Sequence, residues 1–120
     1  MNLQILNQYK IEFELIDNSI PNIKQTEVTD TNFAISSYLS LIPHVNYLNN
    51  EIIVEINKAL NNQTFDSDAG GEITFLELGN PNSTFIYTGI TTQNINIPTV
   101  DLKEIILSWI EFLSDNGIIQ

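Results

Sequence analysis

The chain contains neither cysteine nor arginine. Without cysteine it can form no disulfide framework, no thiolate nucleophile and no zinc-thiolate site. Without arginine it lacks the planar side chain that binds phosphate through two parallel hydrogen bonds. These absences exclude a disulfide-stapled domain and argue against a protein that binds nucleic acid.

Positive charge is scarce along the whole sequence. Fifteen acidic residues stand against four cations, which gives a formal net charge of −11. The cations are Lys10, Lys24, Lys58 and Lys103. A surface of this sign repels phosphate backbones and anionic lipids. We therefore expect neither nucleic acid nor a membrane as a partner, and a basic protein or a cation is the better candidate.

Long apolar segments are also absent. No stretch approaches the roughly 20 residues that span a bilayer, and "MNLQILNQYKIEF" lacks the basic region and apolar run of a signal peptide. We therefore expect a cytoplasmic protein. A chain of 120 residues with 42% hydrophobic residues is sufficient for one domain, residues 1–120, around one core.

Hydrophobic spacing in the first half of the chain predicts two strands and a helix. Alternating apolar residues in "YKIEFELID", ended by "NSIPN", indicate one strand, and "NFAISSYLSLIP" indicates a second at 32–43. From 46 to 62, apolar residues recur every three or four positions, which is typical of an amphipathic helix.

The second half predicts a hairpin followed by a helix. "GEITFLEL" and "STFIYTGI" are two strands joined by the turn "GNPN". The last segment predicts a helix from about 100 to 115, with Thr99 or Asp101 as its cap and Gly117 after its end. The whole order predicts an α+β domain, a small antiparallel sheet with two helices packed on it.

The segment "FDSDAGGEITFLE" has the spacing of an EF-hand calcium loop. The residues at positions one, three, six and twelve are Asp66, Asp68, Gly71 and Glu77. However, Gly70 occupies a position where Asp or Asn is usual, and "LGNPN" breaks the chain after Glu77, where the motif needs an exiting helix. Residues 72–78 are also predicted to form a strand. Such a strand would place Glu77 about 16 Å beyond Glu72. An acidic turn that enters a strand is therefore favoured, and a calcium site formed by Asp66, Asp68 and Glu77 is the alternative.

No pair of nucleophile and base indicates a catalytic site. His44 is the only histidine, and we expect it to be a partly buried structural residue. Trp109 lies on the apolar stripe of the last predicted helix, so we expect it to pack in the core. A contact with a partner protein is the alternative interpretation. We expect a protein without enzymatic activity, without a cofactor and without a bound metal.

Five acidic residues could form a cation-seeking surface if the fold brings them together. They are Asp66, Asp68, Glu72, Glu111 and Asp115. The alternative is an acidic exterior that only contacts water. We take these five as the candidate residues for binding a basic partner.

This small, acidic, cysteine-free chain ending in "IPTVDLKEIILSWIEFLSDN" resembles the bacterial immunity proteins that protect cells from secreted toxins, as in contact-dependent inhibition systems. The resemblance rests on size, charge and the terminal helix, and it covers mainly residues 72–115. It implies a non-catalytic cytoplasmic inhibitor that binds one toxin domain, often a basic nuclease. The alternatives are a calcium-binding module using the 66–77 loop and an acidic mimic of nucleic acid that blocks a DNA-binding protein.

Overall fold

Helices and strands both contribute to the computed structural model, which describes residues 1–88 and 92–118. A π-helical segment, Leu48–Ile53, joins the short helix Val45–Tyr47 to the helix Val54–Leu60, so that 45–60 is one continuous helix. This mixture confirms the α+β class. Along the described chain the elements are α1 (Leu3–Gln8), β1 (Ile11–Ile16), β2 (Ile20–Gln25), α2 (Asp30–Leu39), α3 (Val45–Tyr47), α4 (Val54–Leu60), β3 (Thr74–Glu77), β4 (Asn82–Thr88), β5 (Thr92–Pro98) and α5 (Thr99–Asp115).

Within the described residues the strands form two antiparallel sheets, where the sequence predicted one. β1 pairs with β2, and β3, β4 and β5 follow one another in the second sheet. The predicted first strand is confirmed, but "NSIPN" does not end the sheet. Pro21 lies opposite Leu15 in β2, a position that proline tolerates at a sheet edge. Asp17 and Asn18 make the reversal with φ of 52° and 61°, which these two residue types adopt more readily than most.

The strand predicted at 32–43 is wrong, because most of this segment is helix α2. Thr29 Oγ1 accepts a hydrogen bond from the Asn32 amide at 3.1 Å, and Asn32 Oδ1 accepts one from the Thr29 amide at 2.9 Å. This capping box satisfies two main-chain donors at the start of a helix. The buried positions then follow a helical period: Asn32, Ala34, Ile35, Tyr38 and Leu39.

The helix predicted over 46–62 is confirmed by 45–60, and the predicted hairpin is confirmed by the pairing of β3 with β4. The end of "STFIYTGI" lies outside the described residues. β5 was not predicted, because "TQNINIP" contains only two large apolar residues, Ile95 and Ile97. This segment is a strand because it pairs with β4 along its length.

Helix α5 is confirmed, and Gly117 follows it with a φ of 73°. The two predicted caps are wrong, because both side chains are used elsewhere. The Thr99 hydroxyl donates to the carbonyl of Gly79, and Asp101 accepts a hydrogen bond from the Tyr9 hydroxyl at 2.5 Å. These bonds join α5 to the hairpin and to the end of α1.

The core lies between the helices and one face of the β3–β4–β5 sheet, on which α2 and α5 pack. Trp109 is wholly buried, its indole nitrogen donates to the Ile42 carbonyl at 3.4 Å, and its ring makes a T-shaped contact with the ring of Phe13. The core position of Trp109 is thus confirmed. Over residues 1–88 and 92–118, no helix is both long and apolar enough to cross a bilayer.

Candidate functional site

Four carboxylate side chains line one open cavity of about 350 Å³. Glu51 and Glu55 belong to the helical stretch 45–60, and Asp66 and Asp68 belong to the loop that follows it. Tyr47, 41% exposed, forms part of the same wall. We call this depression the acidic cavity.

The helix brings three of the lining side chains to one side. Tyr47, Glu51 and Glu55 are spaced by four residues, so they follow one another along a single helical face. Glu51 lies within the π-helical segment Leu48–Ile53. π-helical turns are rare and occur frequently at functional sites. The cavity wall thus includes part of this π-helical segment.

The two aspartates shape the loop through their own side chains. Asp66 Oδ1 accepts a hydrogen bond from the Asp68 amide at 3.0 Å, and Asp68 Oδ1 accepts one from the Gly70 amide at 2.9 Å. These are local turns of the kind that aspartate favours. Glu55 Oε1 accepts a hydrogen bond from the Asp66 amide at 2.7 Å, which attaches the loop to the helix. Glu55, Asp66 and Asp68 are thus held in place by main-chain donors.

Glu55 is negatively charged at neutral pH. The hydrogen bond from the Asp66 main-chain amide, followed by the one from Lys58, holds the pKa of Glu55 below the ordinary glutamate value. Lys58 Nζ lies 2.9 Å from Glu55 Oε2. This lysine offsets one carboxylate of the cavity.

Asp68 also faces Glu77 across a short ladder. The two residues are antiparallel partners, with hydrogen bonds from the Ala69 amide to the Leu76 carbonyl at 3.0 Å and from the Leu78 amide to the Ser67 carbonyl at 2.7 Å on either side. In such a pair the side chains lie close together on one face. The sequence argument considered only how far Glu77 lies from Glu72, and it missed that the loop runs back along β3.

The described residues contain no group of three or more His, Asp or Glu side chains arranged to hold a metal ion. Asp66, Asp68 and Glu77, the alternative calcium ligands, therefore do not meet as a set. The chain continues from the loop into strand β3 rather than into a helix. The EF-hand spacing is present in the sequence without the structure that surrounds it in that motif.

The remaining candidate residues lie in other places. Glu72 is exposed and borders a neighbouring depression together with His44 and Tyr47. Glu111 forms an ion pair with the amino-terminal ammonium group of the chain, and Asp115 is exposed in the last turn of α5. The prediction that His44 is partly buried is wrong, because His44 is exposed at the start of α3.

Sequence reasoning thus identified two residues of the acidic cavity, Asp66 and Asp68, and missed the helical half. The signal for that half was the four-residue spacing of Tyr47, Glu51 and Glu55 on the polar side of a helix that was predicted correctly. The contact between this helix and the loop 61–73 could not be predicted from neighbouring residues, because it depends on how the chain turns after α4.

The chain was compared with known proteins, and no family model, no curated protein and no solved structure matches it. The function is therefore argued from the chemistry of the site. That chemistry consists of carboxylates around an open cavity, one neighbouring lysine and a half-exposed tyrosine.

Proposed function

We propose that this protein is a non-catalytic binding protein that neutralises a basic protein partner through the acidic cavity. The observation that carries the proposal is the convergence of Glu51, Glu55, Asp66 and Asp68 on one open depression. Lys58 offsets the charge of Glu55, one of the four carboxylates, so the group as a whole keeps a net negative charge. A lysine or arginine side chain of a partner complements this charge.

A protein partner suits the cavity better than a small cation or a nucleic acid. The carboxylates line a space of about 350 Å³, which is large enough for a long side chain. Tyr47 adds a half-exposed aromatic ring, and tyrosine is enriched among the residues that dominate binding energy at protein interfaces. The net charge of −11 repels nucleic acid and speeds the encounter with a basic surface.

The resemblance to immunity proteins supplies the identity of the partner within this proposal. A small acidic protein in the cytoplasm would bind a basic toxin domain, such as a nuclease, and cover its active site. Binding alone would be sufficient for protection, since a covered active site does not reach its substrate. This proposal requires no cofactor and no reaction by the protein itself.

The experiment that tests the proposal is capture of the partner by the tagged full chain from a lysate of source cells. Bound proteins are eluted by stepwise increases in salt, identified by mass spectrometry and assayed for toxic activity. We expect one basic protein in equimolar amount, whose activity is lost when an equimolar quantity of the chain is added. The salt dependence follows because exposed charge pairs are screened within about 10 Å at 0.1 M salt.

Two triple variants locate the binding surface. Glu51→Gln, Asp66→Asn and Asp68→Asn together remove three charges from the cavity, and asparagine keeps the Oδ1 atom that accepts the loop hydrogen bonds. The matched control removes three charges from the β1–β2 hairpin through Glu12→Gln, Glu14→Gln and Asp17→Asn. We expect the cavity variant to lose the partner and the hairpin variant to retain it. Equal capture by both variants would show that the cavity is not the binding surface, and a captured protein that keeps its activity would refute the inhibitor role.

A further inference from the structure

The face of the β3–β4–β5 sheet that points away from the core is exposed to solvent. Leu76, Phe85 and Ile97 are buried on the inner face. The outer face presents Phe75, 41% exposed, with Ile86 opposite it in the register. Phe75 and Ile86 therefore keep part of their apolar surface in contact with water, where a partner can reach it.

Two carboxylates stand beside this apolar pair. Asp68 and Glu77 lie directly opposite each other, and both border a depression of about 360 Å³ that also contains Phe75 and Ile86. Like charges in this arrangement repel each other. Thr84, the register partner of Glu77, does not relieve the repulsion, because its hydroxyl donates to Asn96 Oδ1 at 2.9 Å. The free chain thus holds two exposed negative groups together.

We propose that this depression receives an arginine side chain of the partner, an inference that rests on the proposed function for the existence of a basic partner. A guanidinium group has five N–H donors in a planar fork and can donate to Asp68 and Glu77 at once. Its plane can stack on the ring of Phe75, and its apolar stem can pack on Ile86.

A second copy of the chain does not fit the same place. The chain contains no arginine, and another copy would bring a further net charge of −11 against the two carboxylates. Asp68 borders both this depression and the acidic cavity, so one partner surface can occupy the two together. The footprint of the partner therefore extends from the helix at 45–60 across the loop to the outer sheet face.

The test is an NMR titration of the full chain, labelled with ¹⁵N, with Nα-acetyl-arginine methylamide at constant ionic strength. The probe is added up to about 50 mM, where a site with millimolar affinity is nearly full. We expect the largest shifts at the amides of Asp68, Phe75, Glu77 and Ile86. The lysine analogue should bind more weakly, because an ammonium group has neither the fork nor the flat face.

Variants of the same chain show which contacts hold the probe. Glu77→Gln and Phe75→Leu should each weaken arginine binding about two- to fivefold, the range for exposed ion pairs and exposed cation–aromatic contacts. Glu12→Gln, which removes a charge from β1, should leave the affinity unchanged. An equal loss in the Glu12→Gln variant would mean that only the net charge matters and would overturn the assignment.

The outcome separates this inference from the proposed function. Shifts at Tyr47, Glu51 and Glu55 without shifts on the outer sheet face, or no shifts at all, would refute the arginine site while leaving capture of a basic partner possible. Specific shifts at the outer face combined with failure to capture any toxin would refute the proposed function and leave the arginine site standing. Equal binding of the arginine and lysine probes would also refute the arginine assignment.

Discussion

The hydroxyl group of Tyr38 donates a 2.6 Å hydrogen bond to the main-chain carbonyl of Ala69 in the interior of the protein. Burial, followed by the influence of Tyr47 and Asp68, raises the pKa of Tyr38, so its hydroxyl stays protonated and able to donate. The bond joins helix α2 to the loop that carries Asp66 and Asp68. The position of the acidic loop therefore depends on a helix that is distant in the sequence.

Replacement of Tyr38 by phenylalanine should lower the free energy of unfolding by about 1–3 kcal/mol. The change leaves the buried carbonyl of Ala69 without its donor, and an unsatisfied buried acceptor carries a cost of this size. Urea denaturation followed by the fluorescence of Trp109, the only tryptophan, measures the difference. The control is Tyr47→Phe, whose hydroxyl belongs to a half-exposed side chain and should contribute little. Equal stability of the Tyr38→Phe variant and the parent chain would contradict this account.

Acidification should detach the loop from the helix as Glu55 takes up a proton. The pKa of Glu55 is lower in the folded protein than in the unfolded chain, so its ionisation stabilises the folded state above the unfolded pKa of about 4.3. This contribution is lost as the pH falls through the lower folded pKa. The side-chain carboxyl carbon of Glu55, followed by NMR from neutral pH downward, should therefore titrate with a midpoint below the ordinary glutamate value.

The two donors to Glu55 can be separated in the same titration. Lys58→Gln should raise the midpoint only in part, because the Asp66 amide is the larger cause of the lowered pKa. Lys103→Gln removes a lysine from α5 and should leave the midpoint unchanged. A midpoint at or above the ordinary glutamate value in the parent chain would disprove the role given to the Asp66 amide.

Asp68→Asn should raise the free energy of unfolding by about 0.2–1 kcal/mol, the size of a cross-strand charge interaction. The substitution removes the repulsion between Asp68 and Glu77 and keeps the oxygen that accepts from the Gly70 amide. Asp17→Asn, in the β1–β2 turn, is the control, because it changes the net charge by the same amount away from the pair of Asp68 and Glu77. The advantage of Asp68→Asn should shrink in high salt, and a loss of stability relative to Asp17→Asn would argue against the repulsion.

Thr29→Ala should lower the free energy of unfolding by about 0.5–2 kcal/mol, because it removes the side chain that caps α2. Thr31→Ala lies inside the same helix and should change stability by less than about 0.5 kcal/mol. Denaturation followed by far-UV circular dichroism compares the two. If both variants behave alike, the capping box contributes nothing to α2.

The segment 32–43 was predicted to be a strand, and this error shows that the spacing of apolar residues alone does not always distinguish a strand from a helix. Phe33, Ile35 and Leu39 fit an alternating period, whereas Ala34, Ile35, Tyr38 and Leu39 fit a helical one. The capping signal of Thr29 and Asn32 was present in the sequence and favoured the helix. In the folded protein Tyr38 is buried and bonded to Ala69, so the helical face that carries Tyr38 packs in the core.

The sequence by itself determined the α+β class, the helix near the carboxyl end, the hairpin of β3 with β4 and the acidic character of the surface. These properties follow from hydrophobic period, turn residues and charge, all of which act over a few neighbouring positions. Only the tertiary structure decided which carboxylates share a cavity. Glu55 meets Asp66, and Asp68 meets Glu77, because the loop after α4 folds back on both the helix and β3, and such contacts between distant segments have no local period.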